Sequence, residues 1–247
     1  MSYSNFAKVY DCLQSDVDYK ARTEYLLGLF ERFDRLPTLL LDMACGTGGF
    51  SLCFAEKGID VIGVDPSAEM LQIAKYKAEE QQKELLLLCQ SAAELDLYGT
   101  VDGAICCLDS INHIIDEDEL QESFDKFSLF LEQGRLFIFD VNTEYKHREI
   151  LSGNTFVYDT DEVYCVWNNS LCDDDGIVDI HLDFFRKQPN GSYVKTSEEF
   201  SERAYEKEVL EKMLQKAGLE VLAVLGDMSE EAANNNDERI IFVTRKR

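Results

Sequence analysis

The chain has 247 residues, 45% of them hydrophobic, enough for one large core with room for an inserted subdomain, and it sets 24 basic against 48 acidic residues for a formal net charge of −24. A surplus of that size repels phosphate backbones, so it argues against a nucleic-acid substrate and leaves solubility, or the gathering of cationic small molecules, as its consequence. No apolar run approaches the roughly 20 residues that cross a bilayer, and the opening "MSYSNFAKVYDCLQSD" lacks the basic and apolar regions of a secretory signal, so the sequence predicts a cytoplasmic protein with no membrane partner.

In chain order, the N-terminal stretch brings Tyr3, Phe6, Tyr10 and Tyr19 together in an amphipathic segment suited to docking on a core. Residues 19–33 place Tyr25, Leu26, Leu29, Phe30 and Phe33 at helical spacing. After Pro37 the run "TLLLDMA" reads as a parallel strand covered on both faces. A helix from Gly48 to Lys57, the strand "DVIGVD" and a helix from Ser67, its N-cap, follow; then come "ELLLLC", "VDGAICCL", the helix "DELQESFDKFSLFLEQ" and the strand "GRLFIFDV". This alternation predicts a doubly wound α/β sheet. From Tyr145 the pattern changes to long β-rich runs separated by "CDDDG" and "QPNGS", an antiparallel β insertion; a helix, the strand "EVLAVLG" and the closing "RIIFVTRKR" return to the core. The expected division is a helical segment at 1–35, a core at 36–143, an insertion at 144–204 and the C-terminal part of the core at 205–247. Five of the eight cysteines, Cys53, Cys89, Cys106, Cys107 and Cys165, sit in apolar runs without a CxxC pair, which predicts buried reduced thiols and no metal.

The stretch "LLLDMACGTGGFSL" carries the chemistry. Open α/β sheets bind ligands beyond the carboxyl ends of their strands, and glycines let backbone approach a ligand closely. A dinucleotide fingerprint needs glycine three positions after Gly48, where Ser51 stands, and Asp42 would oppose a pyrophosphate. The series Asp42-Met43-Ala44-Cys45-Gly46-Thr47-Gly48 resembles motif I of the class I S-adenosylmethionine-dependent methyltransferases, with Ala44 in place of the first glycine.

That resemblance covers residues 39 to about 141 well. It implies a seven-stranded, mostly parallel sheet whose last strand is antiparallel, S-adenosylmethionine as cofactor, and a small-molecule methyl acceptor chosen by the insertion. It carries cofactor contacts to Asp42, Ala44, Gly46, Thr47 and Gly48, a ribose-holding role to Asp65 beside Pro66, and an adenine-side role to Met70. Ser91, Ala92 and Ala93 stand at the adenine-contacting segment, Ser91 where the family often has an acid. Leu108 faces the methyl-transfer site; Tyr10, Asp109, Asn112 and Tyr145 are expected to orient the acceptor, with His113 beside them, and the N-terminal segment resembles a lid. Other readings stay open: Asp65 as an acid at a helix N-terminus, Asp109 and Ser110 as helix caps, and His113, His147 and His181 as structural histidines. No general base is legible. The rival functions are a nicotinamide oxidoreductase and a non-catalytic cofactor-binding module.

Overall fold

Strands β1 (Leu39–Met43), β2 (Asp60–Val64), β3 (Leu86–Leu88), β4 (Gly103–Cys106) and β5 (Leu136–Asn142) form the parallel part of the central sheet in the computed structural model, which describes residues 7–172 and 176–247. Tyr3, Phe6 and residues 173–175 of the expected "CDDDG" turn lie outside the described residues. Two further strands, β10 (Leu219–Gly226) and β11 (Arg239–Lys246), complete a seven-stranded sheet in the order β10-β11-β5-β4-β1-β2-β3, with β11 antiparallel to both neighbours. Strand order reverses between β1 and β4, and there the carboxyl ends of the strands leave a crevice.

Side-chain alternation explains why this sheet is buried on both faces. Leu40, Ile105 and Ile138 point to one face, under helices α2 (Tyr19–Phe33) and α3 (Gly49–Glu56), while Leu41, Cys106, Phe137 and Phe139 point to the other, under α5 (Glu117–Phe130) and α6 (Lys207–Lys216). On that second face Phe139 stacks on Phe242 with centroids 4.9 Å apart, and Phe137 meets Phe127 at 4.7 Å. Each such ring, fully buried, contributes about 1.5–3 kcal/mol. The expected cap of α4 (Ala68–Glu80) is present: Ser67 Oγ accepts from the Met70 amide at 3.2 Å.

Between β5 and α6 in sequence stands a separate antiparallel sheet, β6 (Thr155–Asp159), β7 (Val163–Cys172), β8 (Ile177–Lys187) and β9 (Tyr193–Arg203), paired in chain order. Val163, Cys165, Ile180, Leu182 and Phe184 line its covered side, where Val9 of α1 (Ala7–Leu13) and Leu151 of the wide π-type turn Lys146–Leu151 pack. Helix α1 also meets α4 of the central domain, so it lies across the crevice side of both sheets. Among the described residues no helix is long and apolar enough to cross a membrane.

Candidate active site

The loop after β1 shows what its small residues are for. Gly46 and Gly48 take φ of 54° and 80°, and Ala44 takes 57°, a left-handed conformation that strains an alanine by about 1–3 kcal/mol. A Cβ added to Gly46 would find only the Tyr10 ring, 4.0 Å away, so this glycine bares its backbone to open space. Gly49 serves packing instead: a Cβ there would sit 2.4 Å from the Tyr19 ring, which meets Phe50 edge-on at 5.1 Å.

That open space is a cavity of about 350 Å³ at the ends of β1, β2 and β4, walled by Tyr10, Ala44, Gly46, Asp65, Met70 and Leu108, together with Pro66, Ser91 and Ala92. Asp65 ties two elements together, its Oδ2 accepting from the Gly46 amide at 2.9 Å and its Oδ1 from the Ser67 amide at 2.8 Å. Burial pushes its carboxyl up and these two bonds oppose that push. A carboxylate has about four acceptor positions, so two remain for a ligand. Ser91 Oγ donates to Glu94 Oε2 at 2.9 Å, so an acid stands three residues after the position where the resemblance expects one.

Several residues expected at the cofactor lie off this cavity's wall. Asp42 is absent from the cavity wall; it is 1% exposed and accepts from Ser51 Oγ at 2.5 Å, directed at the start of α3. Burial there pushes its carboxyl up to about 7, against the Ser51 hydrogen bonds, so its counter-charge is weak as well as misdirected. Thr47, Gly48 and Ala93 are not on the wall either. Thr47 Oγ1 donates to Asp11 Oδ1 at 2.7 Å, and Asp11 pairs with Lys77 at 2.5 Å, which pins α1 over the loop and brings Tyr10 into the cavity. Burial first, then Tyr19 and Asp109, raise the Tyr10 phenol well above its ordinary value.

A larger cavity of about 600 Å³ adjoins the first and shares Leu108 with it; Asp109, Lys146, Glu202 and Arg239 line it together with the stacked rings of Tyr158 and Trp167. Leu108 and Asp109 both have positive φ, 57° and 55°, and their amides donate to Asp140 Oδ2 and Oδ1 at 2.8 and 2.7 Å. Arg239 bridges Asp140 and Asp109, reaching Asp109 Oδ1 at 2.7 Å. Burial would raise the Asp109 carboxyl, but Arg239, Lys146 and His113 outweigh it and hold it well below the usual carboxylate range.

Asn112 lies off both walls too: fully buried, it donates through Nδ2 to the carbonyls of Asn142 and Arg203 at 3.0 and 2.9 Å and accepts from the Asn142 amide, clasping the two sheets rather than facing a cavity. Tyr145 opens the π-type turn and lines neither cavity. His113 does line the smaller cavity, and its Nε2 lies 3.7 Å from Glu202 Oε1. His147 is buried, and His181 pairs with Glu199 and Asp183 on the insertion. Asp109, His113 and Glu202 converge although no sequence spacing announced them, and sequence reasoning missed Asp140, Glu202 and Arg239 altogether. The one available signal was an acid inside the apolar strand "LFIFDVN".

Residues 40–134 match the family model described as a methyltransferase domain. Along its whole length the chain is 30% identical to the "Putative methyltransferase" of Geobacillus sp. (strain WCH70), covering 100% of both proteins. It superposes on the crystal structure of an S-adenosylmethionine-dependent methyltransferase from Clostridium acetobutylicum ATCC 824 with a TM-score of 0.89 at 35% identity, over 99% of this chain and 98% of that one. The fold, at 17% identity, is also that of CalS10 from Micromonospora echinaspora, an amino pentose methyltransferase solved with S-adenosylmethionine bound, with a TM-score of 0.77 over 96% and 97% of the two chains.

Proposed function

The chain belongs to the class I S-adenosylmethionine-dependent methyltransferases, and we propose that it transfers a methyl group by in-line displacement to an oxygen or nitrogen of a small molecule seated in the larger cavity. The carrying observation is the junction at Leu108, where a cradle of bare backbone and one carboxylate meets a charged, aromatic-walled chamber.

S-adenosylmethionine fits the cradle by shape and by chemistry, and when bound it supplies a methyl group made electrophilic by a sulfonium. The exposed backbone at Ala44 and Gly46 would take its amino-acid end, the spare acceptor positions of Asp65 the ribose hydroxyls, and Pro66, Met70, Ser91 and Ala92 the adenine. Tyr10, drawn in by the Asp11–Thr47 bond, covers that cradle and excludes water, so within the expected 1–35 segment α1 is the lid and α2 belongs to the floor. Residues 36–143 and 205–247 supply the rigid floor, and residues 144–204, which contribute Tyr158, Trp167 and Glu202, select the acceptor. The chain's own residues thus align two reactants rather than activate one, and alignment alone is worth several kcal/mol of barrier. The charge of −24 supports a small acceptor over a nucleic acid, and a cytoplasmic setting suits the free thiols.

A nicotinamide reading is not favoured, since Ser51 holds Asp42 where a dinucleotide site needs glycine. A thermal-shift panel of S-adenosylmethionine, S-adenosylhomocysteine, NAD and NADP tests the proposal: the two sulfur compounds should each add about 2.7 kcal/mol at 100 times Kd and the two dinucleotides nothing. Absence of any shift with the sulfur compounds sinks it. Recovery of labelled methyl on a compound from a metabolite pool separates an enzyme from an inert binding module.

A further inference from the structure

At the junction of the two cavities the ligand atoms of Asp109, His113 and Glu202 lie within 4.8 Å of one another. The wall of the larger cavity carries six carboxylates against three bases, and each base is already engaged: Arg22 with Asp227, Arg239 with Asp109, and Lys146 with Asn142 Oδ1. The cavity therefore keeps a negative field, which gathers cations.

A second observation is that Glu202 and the imidazoles beside it have unmet hydrogen-bonding capacity. Glu202 has a side chain only 4% exposed and, among the described residues, takes one conventional hydrogen bond, from Asn142 Nδ2 at 3.1 Å. His147 is fully buried; with Nδ1 on the Gly176 carbonyl, its Nε2 lies 3.6 Å from Glu202 without a hydrogen-bond partner, and His113 Nδ1 is a second buried nitrogen in that state. Buried polar atoms are rarely left so. The carboxylate at their centre has acceptor positions to spare.

We propose that this junction is an amine subsite: the methyl acceptor is a small molecule whose amino group enters as an ammonium and donates to Asp109, Glu202 and His113, while its body rests on the Tyr158–Trp167 wall. The proposal rests on the methyltransferase reading above and names the substrate class for it. An ammonium carries three N–H donors, and three acceptors about 2.8 Å from one tetrahedral nitrogen stand roughly 4.6 Å apart; the three ligand atoms lie within 4.8 Å, and His113 Nε2 and Glu202 Oε1, 3.7 Å apart, would part slightly to admit it. Ligands of a zinc ion stand roughly 3.4 Å apart, a spacing that the His113–Glu202 pair nearly meets, so a metal is the rival occupant that the test must separate. An alcohol brings one donor and no charge, and it leaves most of these acceptors unmet.

The reaction also suits an amine. After losing one proton to water through the open cavity, the amine nitrogen forms the N–C bond as the methyl carbon's bond to sulfur breaks and its electron pair stays on sulfur. Positive charge thereby ends on nitrogen, beside Asp109 and Glu202, and these carboxylates favour the transition state in which it develops.

Titration calorimetry on protein saturated with S-adenosylhomocysteine tests this, using benzylamine and cyclohexylmethylamine against benzyl alcohol and cyclohexylmethanol. The amines should bind at least tenfold more tightly than the alcohols, and Glu202→Gln, which keeps shape and removes charge, should erase most of that preference with S-adenosylhomocysteine affinity unchanged. His147→Gln serves as a second variant, in contact with Glu202 but off the cavity wall; it should keep a preference for amines. Equal binding of amine and alcohol, no binding by either amine, or an unaltered preference in Glu202→Gln overturns the proposal. So does stabilisation by zinc or magnesium alone that Glu202→Gln abolishes, which would make the cluster a metal site. Failure of S-adenosylhomocysteine to bind at all instead defeats the underlying methyltransferase reading.

Discussion

The cradle and the larger cavity adjoin, yet they are made from different kinds of sequence. The bare-backbone part of the cradle, with Asp65 and Met70, comes from one continuous stretch, Met43 to Met70, and exposes main chain fixed by strand ends and helix starts. The larger cavity gathers Asp109 from the turn after β4, Asn142 from the end of β5, Glu202 from β9 and Arg239 from β11. Backbone sites draw on the stability of the fold around them, whereas a network of buried charges is part of what makes the fold stable or unstable. Lesions in the network should therefore show first as unfolding, and lesions in the cradle as lost affinity.

Asp140→Ala should have the largest effect. It strips Arg239 of a buried partner and leaves the strained Leu108 and Asp109 amides without their acceptor, at a cost of about 5 kcal/mol. Urea unfolding monitored by far-ultraviolet circular dichroism measures it. A loss below about 1 kcal/mol would mean that the two cavities do not differ in this way.

Asp42→Asn comes next, and it probes the cradle's hidden support. The folded carboxyl sits near 7 instead of its ordinary 3.8, so the native state holds a proton that the unfolded chain has lost. Wild-type stability from this group is full below about pH 4 and is lost as pH rises towards 7. The shift corresponds to about 4 kcal/mol, and the asparagine variant, which cannot ionise, should gain on the wild type by up to that amount between pH 4 and 8. Paired urea titrations across that range would show it. A difference that stays flat with pH would restore Asp42 as an ionised partner, as motif resemblance had suggested.

These two residues also show where the sequence could and could not be read. Periodicity and cap residues predicted the succession of strands and helices in the central domain because its elements are locally coded: Leu40 and Leu41 face opposite cores whatever else the chain does. The places of Gly46 and Asp65 on the smaller cavity's wall follow for the same reason, being fixed by a strand end and the turn that follows. Asp42 misled, since a residue's number along a strand does not tell which side of the loop its carboxylate will take. Asn112 and Tyr145 misled because nearness in sequence to the fourth and fifth strands says nothing about facing a cavity; Asn112 is consumed by β5 and the end of β9. Glu202 and Arg239 were invisible, because their partners lie 89 and 130 residues away and only long-range packing unites them.

Asp65→Asn should leave the fold nearly intact and weaken S-adenosylhomocysteine by about 2 kcal/mol, roughly thirtyfold, since charge-assisted hydrogen bonds to ribose hydroxyls are exchanged for neutral ones. The asparagine oxygen can still accept from one of the two amides, Gly46 or Ser67. Calorimetry at constant pH decides it, and unchanged affinity would move the ribose elsewhere in the cradle.

The smallest expected effect separates Ser91 from Glu94 at the adenine side. Ser91 can donate only one proton, and that proton is already given to Glu94, so the pair presents a hydroxyl oxygen and a carboxylate to whatever lies beside it. If the carboxylate receives the adenine amino group, Glu94→Gln should cost about 0.5–1 kcal/mol and blunt the dependence of cofactor affinity on salt, because an exposed charge is screened. Ser91→Ala should then cost less, since it frees Glu94 to turn towards the cavity. The reverse order would place the contact at the hydroxyl, and the acid would be an outer support that keeps Ser91 in position.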